Sequence, residues 1–347
     1  MKPRLEIRFP VRKQITFWDG EPYLPMENRE FLLDHARSGI LISLKAMGLP
    51  EGSDVGVMVY NCHTVFNAVV QAGYHPVFID VTEDLRIDLE DLKRKSASLK
   101  ALVVTHLFGF VNDIECIREA YPRLYIIEDC AHAMGITSCK GDFAVYSIGQ
   151  GKLPSLGDGG ILTVLNPDFL DSTIVLYKSL PEYSTSQNIV LFFKLLLKSA
   201  LYHPWIYGWL TRAIKKARPV KSGIETISPR KMSRGIRALY QSEYRSLDLI
   251  IQKRKNQSKV VETVLQSIPE VNRVLNGSVN AFMAVCECKD KSAVQSYLSK
   301  RRIDSETHFS NCIHWASSFG YGKASCPNSE KLCKTILTIP TYCTISF

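Results

Sequence analysis

The sequence has little of what would place it in a simple class. Ten cysteines in 347 residues are too few for a disulfide scaffold. No long apolar run is free of charge, so nothing reads as a good transmembrane span. There is no internal repeat and no low-complexity tract, and the composition excludes collagen, coiled coil and wholesale disorder. A metal set is also missing. Cys286 and Cys288 form C-x-C inside FMAVCECKDK, but no second pair or nearby histidine completes a zinc site. The start, MKPRLEIRFPVRKQ, has no apolar core of signal-peptide type. Unpaired thiols in such a chain read as cytoplasmic. Acid is outnumbered, with 34 acidic against 43 basic residues and a net charge of +9. That excess favours anionic partners in general. No recognition motif accompanies it, so nucleic acid is not an expected partner.

What is present is alternation. Helical spacing runs over 35–48, 64–73, 88–96 and 114–122, and strand-like apolar runs over 54–60, 75–81, 100–108, 123–130, 143–149 and 159–166. Strands apolar on both faces, alternating with helices, imply an α/β fold with a mostly parallel sheet between helices. After residue 238 the pattern changes to a long amphipathic helix over 240–268, a strand over 279–288 and a helix over 291–302. The expected organisation is a large domain over 1–237 and a smaller C-terminal α+β domain over 238–347. The segment 188–237 stands apart, because an apolar stretch is followed by accumulating basic residues. It reads as a helical excursion packed on the large domain or a partner subunit, or as a membrane-surface or protein-docking element with a basic flank.

The strongest chemical signal lies between Tyr125 and Gly160. One strand ends in Glu128-Asp129, and the next ends in YSIGQGK, which places Lys152 in a glycine-flanked loop. Polar groups at the C-terminal ends of parallel strands line the ligand crevice, so Asp129 and Lys152 are expected to face one cavity. The glycine spacing is not that of a Walker loop, and no Ser or Thr follows the lysine. A lysine with a strand-end aspartate suits pyridoxal 5'-phosphate. The amine condenses with the aldehyde, and the carboxylate keeps the ring nitrogen protonated so that the ring accepts electrons. A phosphate needs hydroxyls and a helix N-terminus, and Ala36-Arg37-Ser38 opens the first helix.

Several stretches, in order, resemble the DegT/DnrJ/EryC1/StrS family of sugar aminotransferases. They are ARSG, YNCHTVFNAVVQAGYHPVFIDV, VVTHLFG, IIEDCAHAMG and YSIGQGKLPSLGDGG, with weaker similarity around LDLIIQKR, THFSNCIHW and LTIPTY. The resemblance implies a fold-type-I pyridoxal phosphate transferase, like aspartate aminotransferase. It implies amino transfer, usually from glutamate, to a nucleotide-linked keto sugar in polysaccharide or amino-sugar biosynthesis. By the same resemblance Lys152 is the Schiff-base lysine and proton shuttle, and Asp129 pairs with the pyridine nitrogen. His132 lies near the cofactor's 3-oxygen, and Arg37, Ser38 and Ser147 hold the phosphate. His106 reads as a structural residue closing a strand-end loop. The family's ring-stacking aromatic aligns with Cys62, leaving its neighbours Tyr60 and His63 as candidates. The stretch in which the family often donates an Asn to the partner subunit reads ISPRKMSRG. Pro229 lies near that slot, and Arg230 or Ser233 stand as substitutes. A homodimer with the active site at the subunit boundary is implied. The chain ends at CTISF, where the family usually continues into a last helix. The alternatives are a sugar dehydratase on the same cofactor, against which Lys152 argues, and a non-catalytic relative serving as a docking module.

Overall fold

The structure is a computed structural model that describes residues 29–136, 138–201, 224–301 and 303–341. A seven-stranded sheet has the order β1-β7-β6-β5-β4-β2-β3. Its strands are β1 Glu30–Leu33, β2 Asp54–Met58, β3 His75–Ile79, β4 Leu99–Thr105, β5 Tyr125–Asp129, β6 Phe143–Ser147 and β7 Gly160–Val164. Strands β3, β2, β4, β5 and β6 run parallel. At the other edge β7 runs antiparallel to β6, and β1 antiparallel to β7. Helices α1 Ala36–Ala46, α2 His63–Gln71, α3 Leu89–Lys95, α4 Ile114–Ala120 and α5 Leu170–Lys178 link or flank these strands.

Side chains alternate across a strand, and here the alternation feeds two cores. Leu102 and Val104 of β4 and Ile126 of β5 pack into one apolar layer. Ala101, Val103 and Ile127 pack into the other. This is why the middle strands read as unbroken apolar runs: both faces are covered.

Beyond the sheet come α6 Thr185–Leu201, α7 Arg234–Tyr244 and α8 Leu247–Gln266. A second sheet, ordered β10-β9-β8, is built from β8 Val271–Leu275, β9 Met283–Cys288 and β10 Ile336–Pro340. The helices α9 Lys291–Lys300, α10 Cys312–Ser317 and α11 Pro327–Thr335 accompany it. The single helix expected over 240–268 is two helices. The break falls at Arg245-Ser246, where Ser246 leaves helical geometry and caps α8, with Asp248 in its first turn. The boundary expected at 237/238 falls inside α7. Cys286 and Cys288 share one face of β9 and pack in the small sheet's apolar core. Of the basic residues expected in the 188–237 excursion, Arg212, Lys215, Lys216, Arg218 and Lys221 lie outside the described residues, as does CTISF.

Candidate active site

The parallel strands β2, β4, β5 and β6 end on one edge of the sheet, and a cavity of about 600 Å3 opens there. Arg37, Cys62, Asp129, His132, Ser147 and Lys152 all line it. Lys152 lies in the loop after β6. Its amine has no hydrogen bond or ion pair among the described residues, only the Phe282 ring 5.7 Å away. Burial pushes this amine below its ordinary value of 10.5, opposed by the charge of Asp129 and Cys62. A larger fraction of free amine at neutral pH follows, which is what a nucleophilic lysine needs.

Asp129 ends β5. The Thr105 hydroxyl donates to its Oδ2 at 3.0 Å and the Ala131 N–H to its Oδ1 at 3.1 Å. Thr105 in turn accepts from Asn61 Nδ2 at 2.7 Å. Burial pushes the Asp129 carboxyl up, with the Ala131 N–H, Lys152 and Thr105 acting against it. Asn61 and Thr105 were not singled out from the sequence. Both end or follow apolar strands, the position that identified Asp129.

The anion-binding end is built around the start of α1. Gly160 opens β7 against that helix terminus, and a Cβ there would run into the His35 carbonyl and the Ala36 nitrogen. His35 caps α1 and ties it to the loop after β6, with Nδ1 3.1 Å from Asp34 Oδ2 and Nε2 3.0 Å from Asp158 Oδ1. Arg37 faces the cavity without an ion pair among the described residues. Ser147 joins it from the end of β6. A free guanidinium, a hydroxyl and a helix N-terminus make a fitting cradle for a phosphate.

Two histidines line the cavity, His132 buried and His308 half-buried. His132 Nδ1 accepts the Phe108 N–H at 3.2 Å, so the neutral ring carries its proton on Nε2. The ring is stacked on Phe282, with centroids 4.4 Å apart. Burial, then Lys152 and His308, hold it well below the usual histidine value. The Thr338 hydroxyl lies 3.0 Å from the Glu306 carbonyl and 2.6 Å from His308 Nδ1, and His308 Nε2 faces Glu306 Oε2 at 3.6 Å. Burial, with Lys152, pushes His308 down to about 4. The sequence placed His308 in a weakly matching tail and assigned it no role. Its site position comes from the C-terminal half folding over the strand ends, together with Phe282 and Phe309.

Ser38 and His63 do not line the cavity, contrary to expectation. The Ser38 hydroxyl is turned to Asp34 Oδ1 at 2.7 Å. His63 packs edge-on against Trp315, with centroids 5.0 Å apart. Tyr60 is also turned away, its hydroxyl on the His308 carbonyl at 3.0 Å. Neither candidate for the ring stack lines the cavity, whereas Cys62, the aligned position, does and carries no ring. Ser233 serves its own chain as the cap of α7. His106, Glu128 and Cys130 have ligand atoms within 4.8 Å of one another, but these atoms are already engaged. His106 Nε2 donates to Glu128, which also accepts from the Lys140 and Gly141 N–H groups, and Cys130 lies 3.7 Å from Cys139. The cluster closes the loop behind Asp129.

The model of the DegT/DnrJ/EryC1/StrS aminotransferase family matches residues 34–184 and 228–346. A GDP-perosamine synthase of Vibrio cholerae is 32% identical over 139 residues, 37% of this chain and 38% of that protein. The match therefore spans well under half of that relative's length. A pleiotropic regulatory protein of Geobacillus stearothermophilus is 21% identical over 325 residues, 87% of this chain and 77% of that one. Among solved structures, the sugar aminotransferase CalS13 from Micromonospora echinospora superposes with a TM-score of 0.71 at 16% identity. That superposition covers 98% of this chain and 94% of the other, and it is a likeness of fold.

Proposed function

Because the chain belongs to the DegT/DnrJ/EryC1/StrS aminotransferase family, we propose that it is a pyridoxal 5'-phosphate-dependent aminotransferase acting on a nucleotide-linked keto sugar. The observation that carries this reading is the half-buried Lys152, its amine without an ion pair among the described residues, sharing one cavity with the buried Asp129 carboxyl. Family membership and the similarity to a GDP-perosamine synthase support the substrate class. Glutamate is the proposed amino donor. A homodimer with the site at the subunit boundary, a cytoplasmic location and a division into a larger N-terminal and a smaller C-terminal unit belong to the same proposal.

In this reading Lys152 holds the cofactor covalently, and Asp129 pairs with its ring nitrogen. His132 donates its Nε2–H to the ring oxygen. Arg37, Ser147 and the start of α1 take the phosphate. When bound, pyridoxal phosphate supplies an electron sink beside the carbon that gains or loses nitrogen. The rest is done by the chain. Lys152 Nζ, whose free-amine form is favoured by burial, takes a proton from one carbon and returns it to the next. Asn61 and Thr105 direct Asp129 and keep its proton exchange away from solvent. The rings of Phe282 and Phe309 exclude water from the space above.

A visible absorption spectrum of the purified protein with pyridoxal phosphate tests the reading. We expect a yellow band that Lys152→Ala lacks and that glutamate bleaches, with the variant's turnover down by roughly 10²–10⁴. GDP-linked keto sugars would be screened first as acceptors. A spectrum unchanged by Lys152→Ala would sink the assignment.

A further inference from the structure

Among the described residues three thiol pairs lie in contact, and one differs from the others. Cys312 Sγ at the start of α10 and Cys333 Sγ near the end of α11 are 3.1 Å apart. Cys130–Cys139 and Cys286–Cys288 are each 3.7 Å apart, and the second of these is fixed side by side on β9, a strand paired on both edges. Cys312 and Cys333 sit directly behind the cavity wall. The Cys312 N–H donates to the Phe309 carbonyl at 2.9 Å, Cys333 Sγ lies 3.5 Å from the same oxygen, and Phe309 lines the cavity. The two thiols are not equivalent. Cys333 is 9% exposed and Cys312 not at all. Lys291 Nζ donates to the Cys333 carbonyl at 2.8 Å, which brings an ammonium beside that residue. The hydrogen bond with Cys312 holds the Cys333 thiol below its ordinary value against the effect of burial, with help from the Ile313 N–H and the Lys291 charge. Burial pushes the Cys312 thiol up. An accessible edge and a nearby cation are the surroundings of a reactive cysteine.

We propose that Cys312 and Cys333 are an oxidative modification site, at which a peroxide forms a disulfide that braces the C-terminal wall of the cavity. The Cys333 thiolate attacks one oxygen of hydrogen peroxide. The O–O bond breaks, Cys333 becomes a sulfenic acid, and the departing hydroxide takes up a proton to leave as water. The Cys312 thiol then attacks the Cys333 sulfur. The S–S bond forms as the S–O bond breaks, and a second water leaves with the Cys312 proton. Two thiols are oxidised, one peroxide is reduced, and two waters are released. The sulfurs approach by about 1 Å to reach bonding distance. The bridge encloses residues 313–332, so it removes that loop's freedom from the unfolded chain. In the folded chain it joins α10, which follows directly from Phe309, to α11, whose first turn is held on the large sheet by Asp80.

Peptide mapping of the full-length protein tests this independently of any catalytic reading. The protein is treated with hydrogen peroxide, its remaining thiols are alkylated, and it is cut with trypsin. We expect fragments 303–323 and 332–334 to be joined through Cys312 and Cys333 before any other two of the ten cysteines are linked, and dithiothreitol to separate them. The oxidised protein should melt several degrees above the reduced one. Cys312→Ser should lose that rise, and its Cys333 sulfenic acid, with no thiol to resolve it, should be trapped by dimedone. The map is made on the unaltered chain, so it decides the matter even where the variant folds poorly. The proposal falls if Cys312 and Cys333 stay unlinked while Cys130 joins Cys139, or if peroxide links no pair at all. It falls too if the linked protein melts no higher than the reduced one, or if Cys312→Ser gains the same rise.

Discussion

His308 is held uncharged by burial, and that makes acid a direct threat to the fold. Its folded value is about 4, against 6.5 for an ordinary histidine. Between those values the unfolded chain takes up a proton that the folded chain refuses, so stability is full above pH 6.5 and is lost as pH falls toward 4. At pH 4.5 the loss from this one group is of order 2–3 kcal/mol. His308→Phe removes it, so the difference in unfolding free energy between pH 7.5 and pH 4.5 should shrink by that amount. The Thr338 hydrogen bond is lost at both pH values and cancels in the difference. Urea titrations at the two pH values measure this, and equal pH dependence in variant and parent would refute it. The same residue marks a limit of reading from sequence. Lys152, Asp129 and Ser147 sit where strands end, and strand ends are visible in a linear pattern. His308 lies in an irregular tail, and its place depends on how the second sheet folds back. Ser38 and His63 show the opposite limit. Their positions along the chain are at the site, but their rotamers are set by Asp34 and Trp315, which no spacing rule reports.

At the scale of elements, the loop after β6 leans on α6. Gly157 has φ +89°, a region other residues rarely adopt, and a Cβ there would sit 2.7 Å from Leu195 Cδ2. Gly157→Ala should therefore destabilise by roughly 2–3 kcal/mol, from backbone strain plus overpacking. Leu195→Ala alone should cost roughly 2–4 kcal/mol as a cavity. Together they should cost less than the sum by at least about 1 kcal/mol, because the second change removes the first one's clash. A double-mutant cycle by thermal denaturation checks this, and simple additivity would mean that the loop yields without α6. The elements that escaped the linear reading are the strands β1, β8 and β10 and the helices α5, α10 and α11. The three strands lack the long apolar runs that marked the central strands. Their identity comes from partners, as with β1, which exists as an edge strand on β7. The long helix over 240–268 was misread for a related reason: its apolar spacing continues through Ser246, and only the capping geometry shows the break.

At the scale of the whole molecule, one carboxylate ties the C-terminal half to the large sheet. Asp80 follows β3 and is buried. It accepts from the Asn328 N–H at 2.9 Å, the Ser329 N–H at 2.8 Å and the Ser329 hydroxyl at 2.6 Å. These are first-turn donors of α11, where a negative charge also meets the favourable end of the helix dipole. Helix α11 runs directly into β10, whose Thr338 hydroxyl lies 2.6 Å from His308 Nδ1. Asp80→Ala orphans four donors, the Val81 N–H among them, and each buried orphan costs roughly 1–3 kcal/mol, so a loss of about 3 kcal/mol or more is expected. Asp80→Asn keeps one acceptor oxygen and should lose less. Because the tether positions the C-terminal wall of the cavity, Asp80→Ala should also weaken pyridoxal phosphate binding severalfold, although Asp80 does not line the cavity. Unfolding and cofactor titration are measured on the same samples. Parent-like melting would show that the tether carries no load. Lowered melting with parent-like cofactor affinity would show that the C-terminal wall finds its place without it, and that the two halves of the chain are coupled through Phe282 and Phe309 rather than through α11.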